Sequence, residues 1–278
     1  MPRMFNERPS PDRDRLSVLI GIIVLTPVLI RFVNVPPRTI SFGMLGSPIS
    51  FDMTSMWLTA TMLPALSCMG VNAVIRTHPR MSQPAPPRAF VYWILPGLTG
   101  LNAALLLARA PTWPTWWAGL ALTGLAITLV VVAEFSTIDP YTLGYPRVRL
   151  ILNVIAYALA FASFALVYSS RGRSVLTAPA ISAVGIILAF ELLHTTEIQL
   201  RQDLFYSLLV GLLLGESAWA LNYWRLSGLA GGMILLLIFY VIVGVVQQAL
   251  LNRLTRRTLI EFAVVTTVIF ILILRLNG

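Results

Sequence analysis

The sequence has little charge, a single cysteine and no lysine. Only 11% of its 278 residues are charged and 57% are apolar, whereas about 25% of a soluble domain is charged. A soluble chain of this length must still cover its surface with polar atoms, so this composition excludes a soluble enzyme and a disordered chain. Cys68 has no second cysteine with which to pair, which excludes a secreted disulfide scaffold. Lipid is therefore the solvent of most of this chain.

In place of charged residues, the sequence contains long apolar runs. A membrane-spanning helix needs about 20 mostly apolar residues, because its backbone groups must bond within the helix. Nine windows meet this length, and no small-residue cleavage site follows the first, which is interpreted as a retained span. The predicted fold class is an all-α polytopic transmembrane helical bundle of about nine spans, in one integral membrane domain over residues 1–278. The windows are Leu16–Phe32, Met53–Ile75, Ala89–Ala108, Thr115–Phe135, Leu150–Tyr168, Val175–His194, Leu204–Tyr223, Leu229–Leu251 and Leu259–Leu274.

The positive charge of the chain predicts its orientation. All 20 basic residues are arginines, and the formal net charge is +9. With the N-terminus in the cytoplasm, 13 of the 20 arginines fall on the cytoplasmic side, several of them in an arginine-rich tail over residues 1–15. Cytoplasmic segments carry such an excess, so we expect a plasma-membrane protein with a cytoplasmic N-terminus and an extracytoplasmic C-terminus.

The segment between the first two windows, residues 34–52, has strand-like patterning. Apolar and small or polar residues alternate from Ile40 to Met44, and again at Ile49 and Phe51 after a Gly-Ser-Pro turn. Alternation of period two around such a turn predicts a small extracytoplasmic β-hairpin. An irregular loop at the membrane interface is the alternative.

One acidic residue is predicted deep inside a span. Glu216 lies in the seventh window, about 10 Å from its outer end at 1.5 Å per residue. Gly211 and Gly215 beside it form a small-residue pair that lets another helix approach closely, and Gly228 and Gly232 repeat that spacing. Glu216 is therefore a candidate buried acid that carries a proton or meets a cationic ligand. The alternative is that it pairs with a neighbouring group and fixes helix packing.

Four polar residues cluster at the predicted cytoplasmic end of the sixth span: Glu191, His194, Glu197 and Arg201. The first two lie on one side of a helix and form Glu-x-x-His, which is half of a carboxylate-bridged metal site. The other half is missing, since the remaining histidine, His78, lies in a proline-rich loop. We therefore predict neither a metal nor another cofactor, and interpret the cluster as a solvated helix end.

Two short segments resemble a known enzyme family. Residues 196–201, Thr-Glu-Ile-Gln-Leu-Arg, resemble the Glu-Glu-x-x-x-Arg motif of the CAAX-type intramembrane proteases, in which paired carboxylates activate water. Residues 248–252 resemble that family's His-x-x-x-Asn, with Gln248 in place of the histidine. Thr196 replaces the first glutamate, and no histidine follows His194 to act as a base. The resemblance implies an inactive relative of these proteases.

Arginines flank the predicted cytoplasmic ends of the later spans. Arginine forks bind phosphate, and basic residues beside a membrane are attracted to anionic headgroups. We expect headgroup contact here, with recognition of a phosphorylated lipid substrate as the alternative; without a soluble basic domain, nucleic-acid binding is excluded. These residues are Arg147, Arg149, Arg253, Arg256 and Arg257.

Three functions remain open. The leading hypothesis is a non-catalytic accessory or scaffolding subunit of a membrane assembly, with the lipid bilayer, its anionic headgroups and other membrane subunits as partners. It leads because the usual enzyme signatures, such as G-x-S-x-G and H-E-x-x-H, are missing from the sequence. A transporter or flippase for an anionic or lipid-linked solute is the second, although an odd span count without an internal repeat weakens it. The third is the inactive protease relative.

Overall fold

The structure, a computed structural model, is all-α apart from one short hairpin, and the predicted polytopic helical bundle is confirmed. It describes residues 11–33, 36, 38–44, 47–83, 88–141, 144–170, 174–194, 200–224 and 226–277. Within these residues the helices are α1 Arg13–Phe32, α2 Ser55–Ile75, α3 Ile94–Ala108, α4 Trp113–Thr137, α5 Tyr145–Ser169, α6 Ser174–Leu193, α7 Leu200–Leu221, α8 Gly228–Leu250 and α9 Arg256–Asn277.

In the described part of the chain, 8 helices are long and apolar enough to cross a membrane. The ninth predicted span lies within α9, which is not among them. Eight of the nine expected spans are thus found among the described residues, and the ninth stays a prediction. The extracytoplasmic C-terminus stays a prediction, because it requires α9 to cross as well.

The helices α1 to α4 pack in a compact unit over residues 1–152. Contacts join α1 to α2, α2 to α3, α3 to α4 and α4 back to α1, which closes a four-helix bundle. Apolar side chains fill much of its interior, as at Ile23, Leu63, Val71 and Ile127, all of them 0% exposed. Glu134 of α4 is buried in the same unit. Burial of such apolar side chains contributes about 1.5–3 kcal/mol each in water, but in lipid the tight packing itself is what holds the helices together.

Two antiparallel strands occupy the segment where the alternation predicts a hairpin. They are β1, Arg38–Met44, and β2, Ser47–Met53. Ile40 lies opposite Phe51 and Phe42 opposite Ile49, so the alternating residues of the two strands are in register. The extracytoplasmic location of this hairpin stays a prediction.

Residues 153–278 form the second compact unit. The pair α6 and α7 makes its most extensive contact, and α8 packs on α6, α7 and α9. A Cβ on Gly211 would lie 2.8 Å from the carbonyl oxygen of Ser182 on α6, and one on Gly232 would lie 2.7 Å from Cα of Ala165 on α5. The helix backbones therefore touch at these glycines. The single domain over residues 1–278 stays a prediction, within which the contacts divide into these two units.

Gly215 and Gly228 lie at the same two helix crossings. A Cβ on Gly215 would lie 3.2 Å from Cβ of Ser182, and one on Gly228 would lie 3.0 Å from Cα of Ser169. Both small-residue pairs noted in the sequence thus lie against a neighbouring helix, Gly211 and Gly215 against α6 and Gly228 and Gly232 against α5.

Candidate functional site

Buried carboxylates mark the candidate site of the second unit. Glu191, in the last turn of α6, is 1% exposed, and Asp203, in the first turn of α7, is 0% exposed. A carboxylate out of water is costly unless something nearby compensates its charge, so such residues are functional candidates. His194 directly follows α6 and completes the group, here called the carboxylate–imidazole cluster.

The imidazole of His194 lies between an aromatic ring and a carboxylate. Its Nδ1 is 3.5 Å from Oδ2 of Asp203. The imidazole ring also stacks on the ring of Phe190, with ring centroids 5.5 Å apart and an angle of 19° between the planes. The backbone N–H of His194 also donates to the carbonyl of Phe190 over 2.9 Å. The ring is thus held in one place where the ends of α6 and α7 meet.

Local helix physics explains why a carboxylate is tolerated at position 203. The first turn of a helix carries partial positive charge, which favours an acid there. Ser207, one turn later, is also 0% exposed, and its hydroxyl donates over 2.6 Å to the backbone carbonyl oxygen of Asp203. The buried face of α7 therefore begins with a polar turn and continues as the small and apolar surface that contacts α6.

The cluster has the components of a proton-binding site. The side chain of His194 is 31% exposed, while that of Asp203 is fully enclosed. Imidazole is the side chain whose charge changes near neutral pH, so His194 can exchange a proton with solvent and with the carboxylate behind it. No group of three or more His, Cys, Asp or Glu residues that could hold a metal ion occurs in the described ranges.

The structure brings together only part of the polar cluster expected from the sequence. Glu191 and His194 lie together at the end of α6, whereas Arg201 is exposed on α7, and Glu197 lies outside the described residues. Asp203 was not predicted. The seventh window begins one residue later, at Leu204, so Asp203 lay outside the predicted span and its burial was missed. Its place in the first turn of a helix is the signal that could have indicated it.

The candidate buried acid, Glu216, is exposed on α7. The prediction that it is buried is wrong, because the face of α7 that packs on α6 is set by Gly211, Gly215 and Ala218. Successive helix residues are about 100° apart, so Glu216 lies away from that face. It shares the outer surface of α7 with exposed apolar side chains such as Leu212.

A second polar group lies in the first unit, where the segment after α2 meets the one after α4. Nη1 of Arg80 is 2.7 Å from Oδ1 of Asp139, and its guanidinium lies 5.7 Å from the ring of Tyr141. Nδ1 of His78 accepts a hydrogen bond from the backbone N–H of Arg80 over 3.2 Å, and its ring packs edge-on against Phe135. The ion pair between Arg80 and Asp139 joins the two segments at one end of the four-helix bundle.

The burial of His78 makes the first unit sensitive to acid. Burial lowers the pKa of His78 below its ordinary value of 6.5, and Arg80 lowers it further, although Asp139 acts in the opposite direction. Since the folded pKa lies below the unfolded one, the unfolded state binds more protons in acid. Stability that is present above about pH 6.5 is therefore lost as the pH falls below it.

We expect the melting temperature of the detergent-solubilised protein to fall between about pH 7.5 and about pH 5.5. The His78→Asn variant retains an acceptor that can cap the following turn but no longer titrates. Its melting temperature should therefore fall less over the same range. An equal fall in both proteins would show that His78 does not carry this pH dependence.

The five arginines expected to meet lipid headgroups differ in their surroundings. Arg147, Arg253 and Arg256 are exposed, as is Arg257, whose Nε lies 3.0 Å from Oε1 of Glu261. Arg149 is half-buried. Headgroup contact stays a prediction for all five.

The residues that carried the protease resemblance belong to different environments. Asn252 is exposed and has a positive φ of 53°, in the left-handed region, just after α8. Gln248 is half-buried, and its neighbour Gln247 donates over 3.1 Å to the carbonyl of Leu192 at the end of α6. The hydrogen bond from Gln247 joins α8 to α6.

One family shares the pattern of this chain. The sequence model of that family, described as a protein of unknown function (DUF5656), matches residues 35–276. No curated protein and no solved structure matches the chain. The matched segment extends from the hairpin to the last turns of α9, so it covers the second unit and the first unit beyond α1. The chain therefore belongs to the DUF5656 family.

Proposed function

We propose that this chain is a non-catalytic subunit of a membrane assembly, which binds a partner through the outer face of α7. The observation that carries the proposal is the carboxylate of Glu216 on a face that is otherwise apolar and exposed. The partner surface is a transmembrane helix that places an arginine or a lysine at the depth of Glu216.

The outer face of α7 is a continuous stripe. Phe205, Leu208, Leu212 and Trp219 follow one another at spacings of three, four and seven residues, and each is between 54% and 64% exposed. Residues at such spacings lie along one side of a helix. Glu216 lies four residues after Leu212 and so belongs to this stripe, here called the Glu216 face.

Lipid tails can solvate the apolar side chains of the Glu216 face but not its carboxylate. An ionised side chain at this depth is costly in lipid unless it has a partner or reaches water. Within the described ranges, no hydrogen bond or ion pair satisfies Glu216. Trp219 lies between it and the end of α7 at Leu221, and Trp224 follows that end. A basic side chain from another helix would satisfy the carboxylate, while the flanking leucines pack against that helix.

The Glu216→Gln variant tests this proposal. Removal of one member of a buried charge pair costs about 2–5 kcal/mol of binding. We therefore expect the amount of one co-purified membrane protein, relative to the chain, to fall at least about tenfold after mild-detergent purification. Quantitative mass spectrometry measures the ratio. Glu261→Gln is the matched control, because Glu261 is also an exposed acid but pairs with Arg257 of its own helix.

Three outcomes would contradict the proposal. Equal recovery of every membrane protein with the Glu216→Gln variant and with the parent chain is the first. The second is a protein that is lost equally from the Glu216→Gln and Glu261→Gln variants. A self-associated chain with no other protein would also overturn it, since the proposed partner is a different subunit.

A transporter or flippase is the second function that we propose. The carboxylate–imidazole cluster favours it, because Asp203 and Glu191 are enclosed while His194 reaches solvent, an arrangement suited to proton-linked movement of an anionic or lipid-linked solute. This role depends on α6 and α7 and not on Glu216. A Glu216→Gln variant that keeps all its partners would favour it over the subunit.

Three further expectations remain predictions. The relation to CAAX-type proteases is one, because Thr196 and Glu197 lie outside the described residues. The plasma-membrane location and the cytoplasmic N-terminus are the others. None of them is needed for the proposed docking through the Glu216 face.

A further inference from the structure

A half-open cavity of about 500 Å³ lies within the first unit. We infer that it binds the phosphate of an anionic phospholipid. The volume falls within the range of about 300–1,000 Å³ that is typical of small-molecule sites. The inference concerns α1 to α4 only, so it is independent of the role proposed for α7.

The cavity lies where four helix ends meet. Its wall includes Arg31 in the last turn of α1, Ser55 at the start of α2, Leu107 near the end of α3, and Trp113 and Trp116 at the start of α4. Tryptophan is enriched at the level of lipid headgroups. The two tryptophans therefore place the cavity at the depth where lipid phosphates lie, which favours a lipid over a soluble compound.

The charge of the cavity favours an anion. Arg31 is the one charged residue among the residues that line it. Its guanidinium carbon lies 4.6 Å from the ring centroid of Trp113 and 5.4 Å from that of Trp116. Stacking on an aromatic ring uses the face of the guanidinium and leaves its N–H donors at the edge, which can bind two phosphate oxygens at once.

Polar groups beside Arg31 supply further donors. Thr54, Ser55 and Thr59 all line the cavity. The hydroxyl of Thr59 donates to the carbonyl of Ser55 over 3.3 Å. Thr54 occupies the N-cap of α2 but makes no capping bond with its side chain. The hydroxyls of Thr54 and Ser55 and the N–H groups at the start of α2 thus add to the donors of Arg31, whereas the hydroxyl proton of Thr59 is already donated to Ser55.

Part of the lining is apolar, which indicates that the ligand carries a hydrocarbon part. Phe32 is 78% exposed, Trp113 53% and Met56 36%, so these side chains leave apolar surface open to a ligand. A free phosphate ion would gain nothing from this surface, whereas the glycerol backbone and the first carbons of an acyl chain would pack against it. A phosphate head with an apolar tail matches both halves of the cavity.

Native mass spectrometry of the full chain in detergent tests the inference, with phosphatidylglycerol, phosphatidylcholine and inorganic phosphate as the three added ligands. We expect phosphatidylglycerol to bind and Arg31→Ala to weaken that binding at least about tenfold, as expected for loss of a charge-assisted contact. Arg31→Lys keeps the charge but loses the fork, so its affinity should lie between the two. The matched control is Arg76→Ala, which removes an exposed arginine just beyond the far end of α2.

Helical circular dichroism checks that each variant is folded, and Arg31→Lys provides the test if Arg31→Ala does not fold. Equal loss of phosphatidylglycerol in the Arg31 and Arg76 variants would overturn the inference, because it would show a general effect of charge. Binding of inorganic phosphate as tight as that of the lipid would overturn the lipid assignment. Equal binding of phosphatidylcholine would contradict the preference for an anionic lipid.

Discussion

The Asp203→Ala variant is expected to lose about 3–5 kcal/mol of unfolding free energy. That is the usual cost of removing one member of a buried ion pair, which Asp203 forms with His194 when the imidazole is protonated. The substitution takes away the carboxylate that faces His194 at 3.5 Å, and it removes the acid that favours the first turn of α7. Titration with a denaturing detergent, followed by circular dichroism, measures the change.

Glu216→Ala is the matched control for this measurement, since it removes an acid from the same helix. Glu216 is exposed, and exposed substitutions away from structural features usually change stability by no more than about 0.5 kcal/mol. We expect the loss of unfolding free energy in Asp203→Ala to be several times that in Glu216→Ala. Equal losses of stability would contradict the assignment of Asp203, rather than Glu216, as the structurally important acid of α7.

The Gly232→Leu variant is expected to destabilise the second unit by about 3 kcal/mol, at the upper end of the usual cost of overpacking. A Cβ at this position would lie 2.7 Å from Cα and 2.8 Å from the backbone nitrogen of Ala165. Since these are backbone atoms and not the end of a flexible side chain, α5 and α8 would have to separate. The same titration with denaturing detergent measures the loss.

Gly21→Leu is the control for the glycine prediction. Gly21 lies in α1, and a Cβ there would have nothing within 4 Å. The control therefore adds the same side chain to a helix without forcing two helices apart, and we expect its effect to be small. A Gly232→Leu variant as stable as Gly21→Leu would show that the close approach of α5 and α8 contributes little.

Apolar run length and breakers were enough to predict the helices. Each of the nine windows lies largely within one observed helix, because a chain in lipid must satisfy its backbone groups locally. The helix that contains the ninth window, α9, also carries Arg256, Arg257 and Glu261 near its start, and whether it crosses the membrane stays a prediction.

The sequence predicts the position of a residue along a helix better than the face of the helix on which it lies. Glu216 was placed in the correct helix, but which face of α7 packs on α6 depends on Gly211 and Gly215 meeting Ser182, and that contact is invisible in one sequence. Asp203 shows the converse case, because it lies one residue before the seventh window and so was not recognised as a buried residue. Burial in a helical bundle depends on the partner helix, which periodicity does not specify when nearly every position is apolar.

The cavity beside Arg31 could not be predicted, because its walls come from four helix ends far apart in the chain. Tryptophan is enriched at the membrane interface, so the sequence alone favours an interfacial position for the tryptophans at the start of α4. What it lacked was the position of Arg31 over those rings, 4.6 Å from the first of them. A contact between residues so far apart in sequence becomes evident only when the four-helix bundle closes.

Site-specific photo-crosslinking from the Glu216 face tests the proposed subunit role most directly. A photoreactive residue at Leu212, which is 57% exposed, is compared with one at Leu122 on α4, which is 63% exposed. We predict a crosslink from position 212, but not from position 122, to a transmembrane helix of one other protein, with an arginine or lysine within one turn of the linked residue. The Glu216→Gln substitution should abolish that crosslink. Crosslinks to lipid alone from position 212, or the same proteins from both positions, would contradict the account.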